Sequence, residues 1–76
     1  MTLMEAQRAI SARIKYIISI KGLYQSYVAN RIGVTEQQFS DMLNGRKVIR
    51  AEHVPIIAEA LDVEPNDLFD PTDKLT

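Results

Sequence analysis

Glycine is among the residues a helix interior tolerates worst, and this chain places all three of its glycines between runs of helical periodicity and none inside one. The stretch from Leu23 to Gly45, LYQSYVANRIGVTEQQFSDMLNG, is divided by Gly33. Before Gly33, Val28, Ala29 and Ile32 fall on one helical face; after it, Phe39, Met42 and Leu43 do the same at spacings of three and four. Only Gly33 and Val34 separate Ile32 from Thr35. Two short helices joined by a glycine turn this tight form a helix-turn-helix arrangement, which can set its second helix into the major groove of DNA.

The remaining chain supplies a core for that unit. Thr2-Leu3-Met4-Glu5 has capping-box spacing, and Ala6, Ile10, Ile14, Ile17 and Ile18 then recur at helical intervals, predicting a first helix that stops near Lys21. The second helix begins around Leu23, with Gln25 in its first turn and Tyr24 where a small hydroxyl cap would be expected. Thr35-Glu36-Gln37-Gln38 repeats the capping-box spacing and assigns Gln38 to the cap of the third helix. Val54, Ile57, Ala58 and Leu61 predict a fourth helix, with regular hydrogen bonding starting between Glu52 and Pro55. Pro65 opens a short fifth helix that returns Leu68 and Phe69 to the core. No segment alternates with period two. The expectation is an all-α, compact five-helix bundle over residues 1–70, with the helix-turn-helix at the second and third helices and a short polar tail at 71–76.

The net charge of −1 argues against a polyanionic partner only until it is divided by region. Residues 1–50 hold eight Lys and Arg against three acids, a net +5. Residues 51–76 hold one Lys against seven acids, a net −6. A chain polarised in this way can present a positive face to phosphate while its other end stays acidic. Without cysteine there are no disulfides or thiolate metal sites, and the single His53 gives no metal cluster and reads as a surface or helix-start residue. No apolar run approaches the ~18 residues of a transmembrane helix, and no secretory signal opens the chain. A cytoplasmic module with no cofactor, no metal, no membrane partner and no small-molecule ligand is expected.

Leu23-Tyr24-Gln25, Val28-Ala29, Ile32-Gly33-Val34-Thr35, Phe39, Met42, Asn44-Gly45, Ile57-Ala58, Leu61-Asp62-Val63 and Leu68-Phe69 occur in a known order. On these positions the chain resembles the Cro/lambda-repressor-like (XRE-type) helix-turn-helix family from about Ile14 to Phe69. The resemblance implies a bacterial or phage transcriptional regulator, repressor-like, that binds operator half-sites on double-stranded DNA as a homodimer. It implies a phosphate contact for Gln25, base-facing positions for Glu36, Gln37, Ser40 and Asp41, and a backbone contact for Asn44. The chain departs from the family pattern at Tyr24 and in carrying two acids, Glu36 and Asp41, on the third helix.

The chemistry of these residues suits the role. The direction opposite Phe39, Met42 and Leu43 falls near Gln37, whose amide can pair with adenine N6 and N7, while Glu36 or Asp41 can accept from cytosine N4. Phosphate contacts, which position a module without reading sequence, are expected from Gln25, Asn44, Arg46, Lys47, Arg31 and Arg50. The competing expectation is a protein-interaction module (antirepressor, antitoxin or adaptor) that keeps the fold while Glu36, Asp41 and the acidic C-terminal third weaken DNA binding. Nothing in the sequence resembles a nucleophile–base pair, a carboxylate dyad or a phosphate loop, so no enzyme is expected.

Overall fold

The computed structural model describes residues 2–69. Helix α1 (Leu3–Lys21) starts at Thr2, whose hydroxyl accepts from the Glu5 N–H at 3.1 Å, and ends at Gly22 with φ of 66°. Helices α2 (Gln25–Ile32) and α3 (Glu36–Leu43) follow, then α4 (His53–Leu61). No strand occurs among the described residues. Gly33, at φ 83°, donates its N–H to both Ala29 and Asn30 carbonyls, closing α2 in the left-handed geometry that an L side chain adopts only with strain. Asp62 does the same at the end of α4 with φ of 58°, the one non-glycine residue with positive φ among those described.

The expected fifth helix is corrected: four α-helices are present among the described residues, and Pro65–Leu68 forms a single 3-10 turn. Its closing bonds run from Asp67 N–H to Glu64 O and from Phe69 N–H to Asn66 O. Four residues are too few to recover the cost of nucleating an α-helix, whereas the i to i+3 pattern closes within them. The same geometry corrects the expectation for Phe69. Neighbouring residues on so tight a turn point in different directions, so Leu68 is buried and Phe69 is left 57% exposed. The expected 71–76 tail lies outside the described residues.

One core holds these elements together. Ile14 and Ile17 of α1, Val28 of α2, Phe39 of α3, Ile57 and Leu61 of α4, and Leu68 of the 3-10 turn are all fully buried. Helix α1 packs on α3 and the 3-10 turn, while α2 packs on α3 and α4. Leu23, Ile32, Val34 and Val63 close the edges of this core half-buried. Inserting Phe39, Met42 and Leu43 inward fixes the rotation of α3, and so decides which of its residues face solvent.

Candidate nucleic-acid interface

Helix α3 is anchored at its start by a reciprocal cap. The Thr35 hydroxyl accepts from the Gln38 N–H at 3.0 Å, and the Gln38 Oε1 accepts from the Thr35 N–H at 2.9 Å. Gln38 is therefore held at the cap, as its spacing predicts. At the other end the carbonyls of Ser40, Asp41 and Met42 each have a donor. Asn44 N–H reaches Ser40 O, Arg46 and Lys47 N–H reach Asp41 O, and the Ser11 hydroxyl crosses from α1 to Met42 O at 3.1 Å. A helix of eight residues fixed at both ends and along its inner face is a rigid platform.

The outer face of this platform carries Glu36 and Gln37 exposed and Ser40 and Asp41 half-buried. Gln37 Nε2 donates to Asp41 Oδ1 at 3.0 Å, and Arg46 NH1 lies 3.7 Å from the same oxygen. Asp41 is thus paired from two sides. Glu36 has no partner among the described residues and sits in the first turn of α3, where the helix dipole favours an acid. Beyond Ser40, Asn44 Nδ2 donates to the Ser40 hydroxyl at 3.3 Å, and Lys15 of α1 donates to Asn44 Oδ1 at 3.3 Å.

The expected phosphate contacts fall in two groups. Asn44 is exposed at the end of α3, and Arg46, Lys47 and Arg50 follow it along a cleft of about 510 Å³ that Val34, Gln38 and His53 also line. Arg50 lies 3.9 Å from Glu52, an exposed ion pair, and its N–H donates to His53 Nδ1. Gln25 is exposed in the first turn of α2, and Tyr24 makes no side-chain cap there, as the sequence predicts. Arg31, at the far end of α2, donates to the Tyr27 hydroxyl at 2.9 Å and lies 5.8 Å from its ring centroid, which ties it to its own helix.

The sequence reading passed over the residue that shapes the basic segment. Gln7 of α1 donates to Ile49 O at 3.1 Å and accepts from the Ile49 N–H at 2.9 Å, holding the chain after α3 against α1 while Ile49 itself is buried. A signal for it existed: Gln7 and Ser11 continue the inward stripe of Ile14 and Ile18 at steps of three and four. Polar residues on a buried stripe require partners.

No curated protein matches the chain. Among solved structures it is similar to the clp gene regulator ClgR from C. glutamicum, with TM-score 0.79 and 22% identity over 90% of this chain and 86% of that one. It is similar also to the restriction-modification controller protein C.AhdI from Aeromonas hydrophila, with TM-score 0.76 and 25% identity over 83% of this chain and 96% of that one. The model of the Cro/C1-type HTH DNA-binding domain matches residues 13–74, so the chain belongs to the Cro/C1-type helix-turn-helix DNA-binding family.

Proposed function

We propose that this chain is a cytoplasmic, repressor-like transcriptional regulator that inserts α3 into the major groove and binds a pseudo-palindromic operator as a homodimer. The observation that carries the reading is the outer face of α3. Gln37 is exposed there, its amide giving one N–H to Asp41 and keeping its other N–H and Oε1 for base edges, on a helix capped at both ends and flanked by Asn44, Arg46 and Lys47. Glu36, Ser40 and Asp41 complete the base-facing set. Gln25, Arg31 and Arg50 join the flanking residues as phosphate contacts. The two similar structures are described as a gene regulator and a controller protein, which supports the same class of role here. No helix among the described residues is long and apolar enough to cross a membrane.

The protein-interaction reading draws its support from Glu36 and Asp41 on α3 and from the acidic C-terminal third. Pairing of Asp41 with Gln37 and Arg46 leaves less uncompensated negative charge on that face than the sequence suggests. Selection of bound duplexes from a random library tests the proposal directly. The expected product contains two inverted half-sites with centres about 10–10.5 base pairs apart, one helical turn. A chain that retains no duplex at low salt does not act through DNA, and the interaction reading then replaces this one.

A further inference from the structure

A second cleft, of about 370 Å³, opens between α1 and the C-terminal end of α3. Arg8 and Lys15 line it from α1, Asn44 and Gly45 from the end of α3, and no acid is among its lining residues. Arg8 is exposed and makes no hydrogen bond or ion pair among the described residues. Lys15 spends one of its three ammonium protons on Asn44 Oδ1. The negative end of α3, which would repel an anion here, is largely quenched: its last carbonyls already accept from Ser11, Asn44, Gly45, Arg46 and Lys47. The charged side chains that line the cleft are both cations.

We infer that this cleft is a second phosphate track, on which Arg8 and Lys15 of α1 hold a sugar-phosphate strand of the duplex that α3 engages. The inference rests on the DNA-binding reading of α3 and extends its footprint onto a helix that reading does not use. Two features select a strand over a small anion. Arg8 and Lys15 are seven residues apart on one helix, about 10 Å along its axis, so a single phosphate engages one of them at a time. A strand carrying one charge per ~3.4 Å of rise engages both. Asn44 and Gly45 of the cleft are followed directly in the chain by Arg46 and Lys47, so a strand held by that basic segment is led onto α1.

The test is the salt dependence of duplex binding by the full chain. The double variant Arg8→Ala/Lys15→Ala should lower the slope of log K against log[salt] by about 1.8, the value for two phosphates lost. Its base preference in library selection should stay as in the parent chain, because phosphate contacts carry no sequence information. The charge-preserving variant Arg8→Lys/Lys15→Arg should keep the parent slope, which separates a lost contact from a damaged helix. An unchanged slope in the alanine variant, with Lys47→Ala lowering it by about 0.9, places α1 off the interface and overturns the inference while the DNA reading stands. A slope lost equally in the charge-preserving variant also overturns it. Failure of the parent chain to bind any duplex removes both readings together.

Discussion

Asp41 is where the competing readings of this chain separate. As a free acid on a groove-facing helix it would repel DNA; bonded to Gln37 and Arg46, it instead holds the residue proposed to read bases. The Gln37 amide has two N–H donors, and only one is given to Asp41. The second N–H and Oε1 are the pair that adenine N7 and N6 require, so the bond to Asp41 is compatible with bidentate contact. Replacing Gln37→Ala should therefore cost about 1–3 kcal/mol of discrimination at a single base position, read as relaxation of one column in selected duplexes. If the preferred site is unchanged, α3 is rotated differently in the groove. Asp41→Asn should act differently: it removes the negative charge beside Arg46, so binding to non-specific duplex should strengthen. Folding stability should barely move, because a partly exposed ion pair contributes only ~0–1 kcal/mol. Equal affinity for parent and variant would mean that Asp41 lies outside the contact.

At the scale of elements, the helix ends were legible and the segment between α3 and α4 was not. Glycines, Thr35 and the Thr2 cap act within a turn of their own position, so their effect can be read locally. Gln7 acts on Ile49 across 42 residues, and no local rule indicates which backbone it satisfies. The short helix after Pro65 failed for a related reason: periodicity places Leu68 inward but does not measure whether four residues can close an α-turn. Gln7→Ala should cost about 1–3 kcal/mol of stability, since it leaves the peptide groups of buried Ile49 without their partners. Amide exchange gives the specific readout. The Ile49 N–H should lose its protection while the amides of Phe39, Met42 and Leu43 keep theirs relative to global unfolding. Slow exchange at Ile49 in the variant would mean that burial alone holds the segment. DNA affinity should fall with that protection, because Arg46, Lys47 and Arg50 must then be ordered at the moment of binding.

For the whole molecule, the two poles of charge meet along α1: Lys21 Nζ donates to Asp62 O at 3.1 Å and Arg13 Nε donates to Asp67 O at 2.8 Å, while Arg8 and Lys15 lie beside the end of α3. Arg8 and Lys15 of α1 and the cations of the segment after α3 border the face proposed for DNA, whereas Glu59 and Asp62 lie at the end of α4, beside Lys21. The division of charge by region was visible from residue order alone; which elements carry each pole depended on the packing of α1 against α3. Described residues span 29 × 28 × 19 Å, larger than the ~8 Å screening length at physiological salt and comparable to the ~30 Å length at 0.01 M. The acidic pole should consequently oppose DNA association at low salt and be silent at high salt. The near-isosteric variant Glu59→Gln/Asp62→Asn tests this without disturbing shape, since asparagine accepts the left-handed backbone that Asp62 occupies. At about 0.01 M ionic strength its association with duplex should be faster than that of the parent chain, and at about 0.15 M the two should coincide. Stability should rise by about 0.3–1 kcal/mol, because both acids sit against the negative end of the α4 dipole. Faster association that persists at 0.15 M would place these acids beside the bound DNA and not on the opposite side of the domain.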